Sequence, residues 1–293
     1  MNTSIQLPLW CVDIVANPPR SGEGFHNWLF RAARALWKCG RTANDIRAVL
    51  ENAAEICGRH VPTREIDNAL RNSRSSAVCS TRFQHQPWPS LNAEQRKAVI
   101  ESGAGLVELW EASPVRLEDN ESHTEEIIDV LFPGDPLLCA GRSNSDFDTR
   151  SREEWRGELS DLQLIVPNPM TAWTGLTQEG KESTHALSII GPRRFLVIEQ
   201  DKGTIDEQAA ILPHLATIGQ MAVAVYSGSK SIHGWFYCVG RPEDKLHDFM
   251  RYAVSLGADD ATWPRSQFVR IPDGTRAGSK SQTVYFFRPE VIK

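Results

Sequence analysis

Apolar residues recur every three or four positions through the first part of the chain, then gather into short continuous runs from about residue 137 onward. The first period is that of a helix with one buried stripe, and the second that of buried strands. In "GFHNWLFRAARALWKC", residues 24–39, Phe25, Trp28, Leu29, Ala32 and Leu36 fall on one stripe, and Gly40 follows as a stop. A second helix opens at "TAND", where Thr42 and Asp45 have capping-box spacing, and carries Ile46, Val49, Leu50 and Ala53 up to Gly58. A third, shorter one follows Pro62 and Thr63 with Ile66 and Leu70. The pattern predicts a small all-helical domain over residues 1–82.

The stretch "FQHQPWPS", residues 83–90, holds two prolines and no period, and reads as a linker. Beyond it, residues 91–293 alternate between strand and helix patterns. Strands are predicted at 137–140, 162–166, 195–198, 222–226, 232–239, 268–271 and 284–287, and helices at 93–110, 205–218 and 243–256. Thr204 and Glu207 give the middle helix a second capping box, although Pro213 should kink it. The fold class is α+β, preceded by the helical domain.

Composition changes this picture little. The 293 residues are 41% hydrophobic and 24% charged, which excludes wholesale disorder and fibrous classes. No apolar run approaches the roughly 20 residues of a membrane span, and "MNTSIQLPLWCVDIV" lacks a basic leader, so a cytoplasmic protein without a membrane partner is expected. The six widely spaced cysteines argue for reduced thiols. Cys57-x-x-His60, with Cys39 and Cys79 on either side, invites zinc. It lacks paired C-x2-C spacing, so small buried hydrophobes at helix ends are the preferred reading and a structural zinc is not expected. Net charge is -5, but its distribution is uneven. Residues 1–82 carry eleven Lys or Arg against seven Asp or Glu, and residues 83–150 five against thirteen, so the N-terminal domain is the basic one.

Three stretches carry candidate chemistry. "RRFLVIEQDKG" ends a buried strand in Glu199 and Asp201, which project to one side if the strand continues, and two such carboxylates suit Mg2+ or Mn2+. On this motif alone a solvated loop is the favoured reading. "YSGSKSIHGWF" turns at Gly228 and offers Lys230, Ser231 and His233, a hydroxyl, an ammonium and an imidazole suited to phosphates. "LGADDATWPRSQFVRIPDGTR" presents Asp259 and Asp260, then Arg270 before a tight turn, and one of its acids would complete a carboxylate triad. Separately, "GRSNSDFDTRSREEWRG" is polar and glycine-bounded and carries Arg142, Arg150, Arg152 and Arg156; it reads equally as a template groove or a solvated loop. Trp88, Trp110, Trp155, Trp173, Trp235 and Trp263 read as core or surface anchors, with one or two available to stack on bases.

An acid-x-acid after a hydrophobic strand, an S-x-H, and a further acid ahead of an R-x-P turn together resemble the archaeo-eukaryotic primase superfamily, in its primase-polymerase form from plasmids, phages and mobile elements. The N-terminal helices resemble the helical module attached to such primases. The resemblance implies an RRM-like sheet plus an αβ module. It makes Glu199, Asp201 and Asp259 catalytic metal ligands, with Asp260 as the alternate third acid, and Lys230, Ser231, His233 and Arg270 nucleotide contacts. Glu199 stands where that family more usually has Asp.

The implied activity is that of a DNA primase or primase-polymerase: two-metal, template-dependent nucleotidyl transfer with Mg2+ or Mn2+. Its partners are single-stranded DNA, nucleoside triphosphates and a separate replicative helicase, since no G-x-x-x-x-G-K-[ST] loop is present. A catalytically silent nucleic-acid-binding replication protein is the alternative. A metal-dependent nuclease read from "IEQDK" leaves the other two stretches unexplained.

Overall fold

The computed structural model describes residues 9–19, 24–39, 41–58, 61–80, 87–118, 122–177, 179–276 and 280–292. The chain divides into two compact units, Met1–Pro87 and Trp88–Lys293.

The N-terminal unit has four helices among its described residues: α1 (Leu9–Ala16), α2 (Phe25–Lys38), α3 (Ala43–Ile56) and α4 (Thr63–Ser80). The stripe of α2 is buried as the sequence requires, meeting Ile46 and Leu50 of α3 and Ile66 and Ala69 of α4. The Thr42 capping box forms, with Asp45 N–H donating to Thr42 Oγ1 at 3.2 Å and Thr42 N–H to Asp45 Oδ2 at 3.1 Å. Two expectations fail. Where three helices were expected there are four, because α1 ("LWCVDIVA") is too uniformly apolar to show a stripe. And α4 is the longest of them, with 18 residues. Cys39 and Cys57 are the C-caps of α2 and α3, and the Cys57 thiol faces the Pro18 carbonyl at 3.9 Å. His60 lies outside the described residues. Arg31, Arg34, Arg64 and Arg71 are exposed.

The second unit contains, in chain order, α5 (Ala93–Ser102), α6 (Leu106–Glu111), α7 (Thr124–Leu131), β1 (Leu137–Ser143), β2 (Asp146–Ser151), β3 (Leu164–Ile165), β4 (Gly175–Leu176), β5 (Glu182–Ser183), β6 (Phe195–Gln200), α8 (Ile205–Ala216), β7 (Gln220–Tyr226), β8 (Ile232–Tyr237), α9 (Glu243–Ser255), β9 (Val269–Arg270), β10 (Thr275–Arg276), β11 (Lys280–Ser281) and β12 (Val284–Phe287). Two four-stranded antiparallel sheets, β2-β1-β3-β9 and β12-β7-β8-β6, carry the unit, with small hairpins β4-β5 and β10-β11. This is an α+β fold.

The second sheet is buried on both faces, which is why its strands read as unbroken apolar runs. Leu196 and Ile198 of β6 meet Ile211, Leu212 and Leu215 of α8 and Met250 of α9. Phe195 and Val197 point the other way, with Trp235, towards Leu138, Ile165 and Val269 of the first sheet. Leaving aside β9, β10 and β11, which belong to other sheets, this sheet and its helices run β-α-β-β-α-β, a split βαβ in which β8 lies between the parallel strands β6 and β7. The last strand pairs with β7, so β6 stays at the sheet edge instead of the interior place an RRM gives its first strand.

Several local differences have clear causes. The helix expected over 93–110 breaks into α5 and α6 at Gly103–Gly105; a Cβ on Gly103 would lie 2.7 Å from Ala210 Cβ, so glycine allows the close approach to α8. The segment 141–157 is a hairpin followed by a turn, where an irregular loop was one expectation. Its buried Arg152 donates from Nη2 to Glu125 at 2.6 Å and forms an ion pair with Asp129, Nε to Oδ1, at 2.8 Å. Arg150 pairs with Asp148 and Glu158, and Arg156 with Glu153 and Asp129. The acidic stretch 83–150 supplies most of these partners, so those three arginines serve the fold. Trp88, placed in the linker by its prolines, packs 5.2 Å from His247 and 6.0 Å from Trp263.

Candidate functional site

The site begins with strand register. Glu199 of β6 lies directly opposite His233 of β8, and alternation turns both to the face that meets the first sheet. The carboxylate and imidazole approach to 3.6 Å, Glu199 Oε1 to His233 Nε2. Ser231 Oγ is 3.3 Å from the same nitrogen.

The turn before β8 is closed by serines. Ser231 N–H and O–H both donate to Ser227 Oγ, at 3.1 and 3.0 Å, and Ser227 N–H donates to the Ser231 carbonyl at 2.9 Å. Gly228 takes φ 75°, and a Cβ there would meet the Ser281 carbonyl at 2.8 Å, so the turn needs glycine twice over. Arg276 of β10 donates to Ser229 Oγ at 2.5 Å. Lys230 reaches out of this turn and places Nζ 3.0 Å from Asp201 Oδ2.

The edge position of β6 brings in the third acid. After α9 the chain reverses at Gly257 (φ 103°) and runs along the free edge of β6, where Ala258 bridges Gln200 and Asp259 N–H donates to the Glu199 carbonyl at 3.0 Å. Asp259 Oδ1 accepts the Ala261 N–H at 3.0 Å and caps the short turn Asp260–Thr262. Asp260 is exposed, and Asp259 is the one whose charge acts on Glu199. Arg270, on β9 of the facing sheet, is braced by Gln163 Oε1 at 2.9 Å. Glu199, Ser231 and His233 thus lie together, Lys230 reaches Asp201, and the charges of Asp259, Asp201 and Arg270 act on Glu199; Asp260 does not join them.

The electrostatics follow from burial and sign. Burial pushes the Glu199 carboxyl above its ordinary value; Asp259 and Asp201 add to this, while a Ser231 hydrogen bond and the Arg270 guanidinium pull the other way. His233 is pushed down to about 3, chiefly by burial and then by Arg270, so its imidazole is neutral at ordinary pH. Lys230 is raised by its bond to Asp201.

The three carboxylates supply the oxygen donors that hard divalent cations take, and Glu199 is raised first by burial and then by the charges of Asp259 and Asp201. The buried Nδ1 of His233 has no hydrogen-bond partner among the described residues. Yet no group of three or more His, Cys, Asp or Glu among those residues forms a ready metal cage. The Lys230 ammonium pairs with Asp201, and Asp259 accepts the Ala261 N–H. A cavity of about 1260 Å³ lies elsewhere in this unit, lined by Trp110, Arg116, His123, Asp161, Asp273 and Tyr285 among others, and none of Glu199, Asp201, Asp259, Lys230, Ser231, His233 and Arg270 lines it. No described helix is long and apolar enough to cross a membrane.

Sequence reasoning missed Ser227, Gln163 and Arg276. Ser227 stands inside the quoted "YSGSKS", whereas Gln163 had no signal at all. Comparison with known protein families, with curated proteins and with solved structures found no match for this chain.

Proposed function

We propose that the protein is a template-dependent nucleotidyltransferase, a DNA primase or primase-polymerase acting in replication of a plasmid, phage or mobile element. One observation carries this reading: strand pairing sets Glu199 against His233, and the edge of the same strand draws in Asp259. Acids from separate stretches meeting an imidazole and an ammonium make up a donor set for metal ions and phosphates. The β-α-β-β-α-β order supports an RRM-like relationship for the catalytic sheet, with its last strand moved to the opposite edge.

In this reading Glu199, Asp201 and Asp259 hold Mg2+ or Mn2+, which supplies charge neutralisation and a lowered pKa for the primer 3'-hydroxyl. The chain's own groups do the positioning. His233, neutral and buried, and Ser231 present uncharged hydrogen-bonding groups to the triphosphate. Lys230, whose side chain is 71% exposed, exchanges its ion pair with Asp201 for the phosphates. Arg270 adds a fixed positive charge near nucleotide or primer-template, and the exposed arginines of the N-terminal unit attract single-stranded DNA. A separate helicase would open the template.

The Lys230–Asp201 ion pair favours a second reading, a silent nucleic-acid-binding replication protein in which the ammonium permanently replaces a metal. Incorporation of labelled nucleotides on single-stranded templates, with Mg2+ and with Mn2+, separates the two. Synthesis by wild type that is abolished in Asp201→Ala supports the enzyme; DNA binding without incorporation under every condition supports the binding protein.

A further inference from the structure

Arg96, on the first turn of α5, is nearly buried, yet its guanidinium serves two loops far away in sequence. Nη1 donates to the Leu256 carbonyl at 2.5 Å and lies 3.5 Å from Gln200 Oε1, and Nη2 donates to the Lys202 carbonyl at 2.6 Å. Lys202 follows Asp201 directly, and Leu256 precedes Asp259 by three residues. In both loops the next residue is a left-handed glycine, Gly203 at φ 80° and Gly257 at φ 103°. A Cβ on either would press on the guanidinium, 3.1 Å from Nη2 and 2.8 Å from Nη1. Both loops thus bring a carbonyl to one planar fork. The helix itself is tied to the same place, with Asn92 N–H donating to the Ser255 carbonyl at 2.8 Å.

We propose that Arg96 is a positioning residue which fixes the spacing between the Asp201 loop and the Asp259 loop, and so the separation of the acids that receive the divalent cation. The metal half of this rests on the function proposed above. The clamping half does not. A guanidinium reaches both carbonyls at once because its donors are held in a rigid plane; a lysine ammonium at the same position reaches one.

Full-length wild type, Arg96→Met and Arg96→Lys are compared by two readouts. Amide hydrogen exchange, measured without metal, should show the Asp259 N–H exchanging at least about 10-fold faster in both variants, with β7 and β8 unchanged. Mn2+ binding, followed by the loss of the free-ion electron paramagnetic resonance signal, should weaken about 10-fold. If Arg96 acted only as a buried positive charge, its removal would tighten Mn2+ binding. Unchanged exchange at Asp259, or exchange raised evenly across the sheet, would overturn the clamp; unchanged or tighter Mn2+ binding would overturn its link to the acids. Should Arg96→Met fail to fold, Arg96→Lys, which keeps charge and most of the volume, decides. Wild type that binds Mn2+ but makes no primer removes the enzyme reading alone. If wild type binds no Mn2+, the metal site falls and the exchange rates judge the clamp by themselves.

Discussion

Replacing His233 by Gln should flatten the acid side of the stability profile by an amount that the structure sets. The imidazole is fully enclosed, and burial followed by the Arg270 charge lowers it from 6.5 to about 3. Because the folded-state value is the lower one, the unfolded chain binds a proton that the native chain refuses. The stability is therefore intact above pH 6.5 and is lost as pH falls towards 3, at about 1.4 kcal/mol per pH unit. Between pH 7 and pH 5 this single group removes about 2 kcal/mol. Glu199 works in the opposite sense, since its raised value makes ionisation costly in the native state and that cost recedes as pH falls. It is present in both proteins and largely cancels from the difference. Urea unfolding of wild type and His233→Gln, followed by tryptophan fluorescence in EDTA at pH 7, 6 and 5, gives the comparison. Wild type should lose about 2 kcal/mol more than the variant over that range. Parallel profiles would mean that the imidazole is solvated, and the Glu199–His233 register would then not create the buried neutral group described here.

Other outcomes follow from the same geometry. Glu199→Gln should abolish nucleotide incorporation yet raise the melting temperature at pH 7, because a buried charge beside two acids disappears; each kcal/mol gained corresponds to about 2–4 °C by calorimetry. Lys230→Met should tighten Mn2+ binding, since the ammonium no longer competes for Asp201, while raising KM for the nucleotide several-fold; a titration and a steady-state assay separate the two effects. Arg152→Met should destabilise the second unit by roughly 1.5–3 kcal/mol in denaturant unfolding, since Glu125 loses its charge-assisted hydrogen bond to the buried guanidinium while both acids keep access to water.

The sequence was most legible where a local rule governs. Alternation in "FLVIEQ" put Glu199 on the face it occupies, and both capping boxes formed where Thr42 and Thr204 announced them. It was silent where partners are distant. Nothing near Asp146 marks β2 as a strand, because its polar residues are stabilised by pairing with β1 and by partners such as the Thr184 carbonyl and Glu158. The choice of Asp259 over Asp260 depends on β6 lying at a sheet edge, a property of the strand order and not of either residue's neighbours. Arg96 was invisible for the same reason: its two carbonyl partners are 106 and 160 positions away.

The most direct test couples product to by-product. On a single-stranded template with Mn2+ and labelled triphosphates, wild type should form dinucleotides and longer primers and release one pyrophosphate per bond made, while Asp201→Ala, correctly folded by circular dichroism, should do neither. Wild type that releases no pyrophosphate with either metal, or Asp201→Ala that matches it, would contradict the account.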